Sequence, residues 1–333
     1  MARSLKNPLV ENYSGNLIST NIIKTIKGHQ FRVLEETVGG DAPKDVLRIY
    51  QHDGVCRKNK IKSWPTYIVK VGHKRYPNES ITEQIFTEIG KELGVKIADS
   101  QIFEIEGIIR FCSKHFHKES QILNHGAEIL SRFFEQPNEE WIDRLEKDKT
   151  IKARINIDDV ILAIKQEFKE DSEVLIKEFI DMLLFDCFVG NNDRHYYNWG
   201  VLTFISEKQP PYFAPIYDTA RGLWWNSSDK AIVELFNSKS RENEIEKYVL
   251  SSKPKISTPD NSKCNHFELI KYLKDQEYVS KQQGSFWQDY NNFSRVESVI
   301  EKKFQSLMIK ERLEIIKKTL LLRFKKTQEI LKL

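Results

Sequence analysis

The stretch G-N-N-D-R-H-Y-Y-N-W-G, Gly190 to Gly200, decides how this chain is read. It sets Asp193, His195 and Asn198 in one short polar segment directly after an apolar one. Asp193 and Asn198 stand five residues apart, and a second aspartate, Asp218, follows in F-A-P-I-Y-D. Asp193 is a carboxylate able to take a proton from a hydroxyl. Asn198 and Asp218 offer the hard oxygen atoms that magnesium prefers, alongside phosphate oxygens. A base, an amide and a metal carboxylate in that order point to phosphoryl transfer from a magnesium nucleotide.

Other residues supply the remaining parts. Lys70, in T-Y-I-V-K-V, is in phase with Thr66 and Ile68 on one face of an expected strand. An ammonium on a face otherwise fit for burial needs a partner, and Glu83 is the candidate. Glu83 has a second reading, as the closing residue of an S-x-x-E capping box with Ser80. The loop V-G-G-D-A-P-K-D, with Gly39 and Gly40, is placed to bring backbone amides to a phosphate, although it matches neither nucleotide-binding glycine pattern and also reads as a plain turn. His195 is read as orienting the loop beside the nucleotide rather than holding a metal. Arg194 suits either a phosphate or a loop carboxylate.

The rest of the chain sets the frame. It has 333 residues, enough for two lobes with cores of their own. Its 30% charged and 40% apolar residues are ordinary for a globular protein, and a net charge of +4 is too small to argue for nucleic acid. Cys56, Cys112, Cys187 and Cys264 form no C-x-x-C pair, so neither a zinc cluster nor a redox motif is indicated. The first residues do not read as a secretory signal, and no segment is apolar over the roughly 20 residues of a membrane helix. A cytoplasmic location is expected, with export without a cleaved signal as the alternative.

Residues 1–30 read as a weakly patterned lead-in. Strands are expected at 31–38, 46–50 and 66–71, then a helix over 81–93 ended by Gly94, then short strands at 95–97 and 102–110. Helical spacing runs over 119–134, 157–168 and 173–188. Residues 137–156 read as a charged linker with local helix, 225–260 carry little pattern, and 251–262 read as a loop. A last helix is expected over about 299–331, with ten Lys/Arg against four Asp/Glu from Glu301 onward, hence a basic solvated face. The fold class is α+β, a two-lobed kinase-like arrangement: a β-rich lobe over residues 1–112 and a helical lobe over 113–333.

These residues resemble the HipA-like family of serine/threonine kinases, most nearly its short CtkA-type branch of secreted bacterial kinases. The resemblance rests on Asp193-Arg194-His195-Tyr196-Tyr197-Asn198, on Tyr217-Asp218, on Val69-Lys70 and on the Gly39-Gly40 loop, and covers roughly Val38 to the C-terminal helices. It implies ATP and Mg²⁺ in an interlobe cleft, Asp193 as base, Asn198 and Asp218 as metal ligands, Lys70 paired with Glu83 on the phosphates, and a hinge at Phe111 to Lys114, with Phe111 and Ser113 near the adenine. Autophosphorylation is also expected from the resemblance, yet V-G-G-D-A-P-K lacks the serine that the family's full-length toxin branch modifies in its glycine loop. Fewer than forty residues precede the glycine loop, so a DNA-binding antitoxin partner is not expected. The expected partner is a protein hydroxyl, with no membrane or nucleic acid. A small-molecule or lipid kinase on the same scaffold, and a nucleotide-binding protein without catalysis, are the rival readings.

Overall fold

The computed structural model describes residues 5, 14–15, 17–19, 21–36, 44–51, 54, 56–72, 75–136, 138–206 and 208–332. Gly39 and Gly40 lie outside the described residues. The first lobe is a six-stranded sheet in the order β1-β5-β6-β4-β3-β2. Its strands are β1 (Lys24–Ile26), β2 (Phe31–Val33), β3 (Lys44–Ile49), β4 (Thr66–Lys70), β5 (Ser100–Ile105) and β6 (Ile108–Lys114). β1 pairs with β5 in parallel and every other pairing is antiparallel. The expected strand at 102–110 is instead a tight hairpin between β5 and β6. Glu106 and Gly107 both take positive φ, 54° and 74°, the geometry that matches the twist of flanking strands. β6 continues to Lys114, past position 112.

Period-two alternation gives the sheet two different faces. Leu47, Ile49, Tyr67, Val69, Phe103, Ile105 and Cys112 form a closed apolar cluster on one side. Lys44, Val46, Ile68 and Lys70 turn to the other side, where the cavity lies. The strand phase read for Lys70 is therefore the one observed.

Helix α1 (Asn78–Glu92) crosses that second side, and Asn78 to Gly90 are all buried. It begins three residues earlier than expected, after Pro77, and its N-cap carries no side-chain bond. The capping box of Ser80 and Glu83 does not form. The Ser80 hydroxyl instead accepts the Gly72 amide at 3.2 Å, which frees Glu83 for another partner.

The second lobe opens with β7 (Gln121–His125), where helical spacing had suggested helix. β7 pairs with β8 (Gly200–Phe204), and β8 with β9 (Tyr212–Phe213), in a small antiparallel sheet. Around it lie α2 (Gly126–Phe133), α3 (Glu140–Lys147), α4 (Ile151–Arg154), α5 (Ile157–Phe168) and α6 (Ser172–Val189). The region without pattern folds into α7 (Asp229–Asn237) and α8 (Arg241–Ser251), followed by α9 (His266–Asp275) and α10 (Lys281–Gln288). The expected last helix is two, α11 (Tyr290–Phe304) and α12 (Lys310–Leu331).

α6 is apolar nearly all round and buries Leu175, Phe179, Leu184, Phe185 and Phe188 at the centre of the lobe. Each such side chain contributes about 1.5–3 kcal/mol when removed from water. α12 packs beside it, and its basic residues are largely committed: Arg312 and Arg323 are buried, Lys318 pairs with Glu242, and Lys326 with Glu246. α11 packs along α1, with ion pairs Lys303–Glu88 and Arg295–Glu92 at the seam. The helix carrying Glu83 is thus held between the sheet and the second lobe. No helix among the described residues is long and apolar enough to cross a membrane.

Candidate active site

Residues 190–200 hang from the C-terminus of α6. Gly190 ends that helix in the left-handed region, φ 71°, and a Cβ there would stand 3.0 Å from the Arg323 guanidinium. That guanidinium donates to the Cys187 carbonyl at 2.7 Å, so it closes the last turn of α6 as a cation should. Asp186, one of two aspartates interrupting the apolar run of α6, is only 3% exposed. Its partner is Arg194, by two parallel bonds of 2.8 and 2.9 Å. The same guanidinium donates to the carbonyls of Asn198 and Tyr217, both at 2.7 Å, and to Thr219 Oγ1 at 2.8 Å. The structure gives Arg194 a carboxylate, but one from α6 rather than from the loop. Arg194 ties α6, the 190–200 loop and the Asp218 segment together.

The loop is also fixed from within. Asn191 donates to Asp186 at 2.9 Å and accepts the Asp193 amide at 3.2 Å. Asn198 Nδ2 donates to the Asp193 carbonyl at 2.8 Å, which joins the two ends of the five-residue spacing. Trp199 is buried against Phe179 and stacks on Phe213. Gly222 passes so close behind the loop that a Cβ would meet the Gly190 and Val189 carbonyls at 2.7 and 2.8 Å.

These elements and the sheet enclose a cavity of about 1060 Å³, at the upper end of small-molecule sites. Asp193, His195, Asn198 and Asp218 line it from the second lobe; Lys70, Glu83 and Ser113 line it from the sheet side. Lys70 Nζ lies 3.3 Å from Glu83 Oε2 and also binds Asp218 Oδ1. Phe111 does not line the cavity. Its ring is buried directly across from Lys70 in the β4–β6 register, 5.7 Å from the ammonium, and so backs the lysine. The cavity wall continues instead through Lys114, His115, Phe116 and His117, with Phe116 packed on Tyr217.

Sequence reasoning missed two cations that pair with Asp218 and Asp193, Lys44 and Arg221. Lys44 sits directly opposite Lys70 in the β3–β4 register, and two facing ammonium groups repel. Asp218 lies between them, with Oδ2 3.1 Å from Lys44. The signal for Lys44 was its phase with Val46, obscured by the turn before it. Arg221 pairs with Asp193 Oδ1 at 3.1 Å, and nothing local in the sequence announced that contact.

The charges have consistent physical causes. Burial would raise the Asp218 carboxyl, but Lys70 and Lys44 outweigh it and hold the group well below the usual carboxylate range. Burial pushes Glu83 up to about 7, because Lys70 shares its charge with Asp218 and offsets only part of the desolvation. Burial also raises Asp193, against the pull of Arg221 and Lys255. His195 is pressed down to about 4 by burial and is neutral at pH 7.

Asn198 and Asp218 fit a divalent cation. With Nδ2 committed to Asp193, Asn198 Oδ1 has no donor among the described residues. Asp218 is paired with two ammonium groups, so a cation there would share the carboxylate with Lys44 and Lys70 or displace them toward phosphate oxygens. Two hard oxygen donors suit magnesium that takes its other ligands from phosphate and water.

The sequence model of the HipA-like C-terminal domain matches residues 37–273. The chain belongs to that family. It is 26% identical over 196 residues to the serine/threonine-protein kinase CtkA of Helicobacter pylori, an alignment spanning 59% of this chain and 55% of that protein. The chain thus matches about half the length of this relative. Among solved structures, a Helicobacter pylori proinflammatory kinase CtkA superposes with a TM-score of 0.68 at 18% identity, covering 92% of this chain and 96% of the other. HipA in the Shewanella oneidensis MR-1 HipA, HipB and operator DNA complex gives a TM-score of 0.51 at 13% identity, over 80% and 60%. At such identities the two superpositions speak to the fold. The HipA-like chain described here is a two-lobed α+β protein of that architecture, and the expected fold class is the one observed.

Proposed function

We propose that this HipA-like chain is an ATP- and Mg²⁺-dependent serine/threonine protein kinase that also phosphorylates itself. One observation carries the reading: a single cavity gathers Asp193, Asn198, Asp218 and the Lys70–Glu83 pair on its wall. The name of the CtkA relative supports the same reaction. Asp193, raised by burial and steadied by Arg221, takes the proton of the acceptor hydroxyl. Lys70 and Lys44, positioned by Glu83 and Asp218, neutralise phosphate oxygens. Asn198 and Asp218 hold Mg²⁺, which supplies charge neutralisation on the phosphates. The Ser113 to His117 wall meets the base of the nucleotide. His117 lines that wall beside His115 and Phe116. The Gly39-Gly40 amides are assigned to the phosphates by the family resemblance.

The test is incubation with γ-labelled ATP and Mg²⁺ beside Asp193→Asn, with and without generic protein acceptors, followed by mapping of labelled residues. Label on serine or threonine, falling about 10²–10⁴-fold in Asp193→Asn, is the expected result. Label on small hydroxyl compounds alone would transfer the reading to a small-molecule kinase. ATP binding without transfer to any acceptor would reduce it to a nucleotide-binding protein.

A further inference from the structure

Phosphoryl transfer spreads negative charge over the oxygens of the moving group, and preorganised cations stabilise it. The cations lining this cavity are mostly spoken for. Lys70 and Lys44 lie on Asp218, and Arg221 lies on Asp193. His195, beside the base, is neutral. Lys114 and Lys147 are exposed at the rim.

Lys255 differs from all of these. It is half-buried, lines the cavity with Asp193 and His195, and acts electrostatically on both. No carboxylate oxygen of the described residues lies within ion-pair distance of its ammonium. The loop that carries it is pinned on both sides. The Ser252 hydroxyl and the Lys253 amide donate to Asn192 Oδ1 at 2.7 and 3.0 Å, inside the 190–200 loop. The Ser257 hydroxyl donates to the Lys152 carbonyl at 2.6 Å, and Ile256 between them is buried. A segment whose composition reads as a free loop is therefore bolted directly to the segment that carries the base.

We propose that Lys255 is a catalytic residue of the transfer reaction, its ammonium donating to a non-bridging oxygen of the phosphoryl group as it moves. The proposal rests on the kinase reading above. The acceptor hydroxyl oxygen forms a bond to the γ-phosphorus. The bond from that phosphorus to the β,γ-bridging oxygen breaks, and its electron pair leaves with the nucleoside diphosphate. The hydroxyl proton passes to Asp193. Lys255 stays protonated throughout and neutralises charge that is greatest midway.

The test compares wild type, Lys255→Met, Lys255→Arg and the exposed neighbour Lys253→Met in steady-state transfer from ATP. It adds titration with ADP and aluminium fluoride, a mimic of the moving group. Lys255→Met is expected to lose about 10²-fold in kcat with the KM for ATP within about twofold, and to bind the fluoride mimic at least tenfold more weakly. Lys255→Arg is expected to recover most of both, and Lys253→Met to match wild type. A kcat within threefold of wild type in Lys255→Met would overturn the assignment, as would a loss confined to KM or one that Lys255→Arg shares in full. Absence of transfer by wild type would instead defeat the kinase reading on which it rests.

Discussion

Replacing Asp186 by alanine removes the charge that compensates a guanidinium only 1% exposed. Breaking a buried pair from one side costs about 3–5 kcal/mol, because the surviving charge has lost its partner. An exposed pair such as Arg132–Glu167 contributes only about 0–1 kcal/mol, so Arg132→Ala is the matched control. Asp186 also accepts from Asn191, which adds to its cost rather than to that of the control. Exchanging both members of a buried pair for apolar residues is often harmless, yet here it should not be. Arg194 also supplies the carbonyls of Asn198 and Tyr217 and the Thr219 hydroxyl. Leaving those acceptors buried costs roughly 1–3 kcal/mol each. Asp186→Leu with Arg194→Met is therefore expected to stay at least about 3 kcal/mol below wild type in urea unfolding followed by tryptophan fluorescence, with lost protection of the 190–200 amides in hydrogen exchange. A loss under 1 kcal/mol in Asp186→Ala, or a neutral double variant, would refute the claim that this one guanidinium holds the loop to its helix.

The raised Glu83 makes stability depend on pH in an unusual direction. Its folded value of about 7 lies above its ordinary 4.5, so the native protein binds more protons between those values, and stability falls as pH rises through that window. Glu83→Gln should flatten this slope, a change on the order of a few kcal/mol across the window, measurable by urea unfolding at pH 5 and 7.5. Asp218 supplies a different test. Its φ of 54° is a conformation that asparagine tolerates, so Asp218→Asn should fold while leaving Lys44 and Lys70 facing each other without the carboxylate. With Asp218 about a quarter exposed, the expected loss is about 1–3 kcal/mol; adding Lys44→Met should recover stability but not metal-dependent transfer. A double variant no more stable than Asp218→Asn would show that the two ammonium groups do not repel across the strands.

What could be read in the chain alone was whatever repeats locally or depends on near neighbours in sequence. The five-residue spacing of Asp193 and Asn198, the strand phase of Lys70 and the helices over 157–168 and 173–188 are of this kind, since alternation and helical period are properties of a few consecutive residues. The reading failed where a local pattern was outbid. Gln121–His125 pairs with β8 instead of coiling, Ser80 binds the Gly72 amide instead of capping α1, and the unpatterned 225–260 region folds as α7 and α8 because the rest of the lobe offers them a surface. Contacts across long separations carried no local signal at all. Lys44 and Lys70 meet Asp218 from 174 and 148 residues away, and Arg221 meets Asp193 only because the chain turns back behind the loop. Charge pairing acts through space, so the chain alone supplied the chemical groups, and only the packing of α1, α6 and the sheet decided which of them share a field.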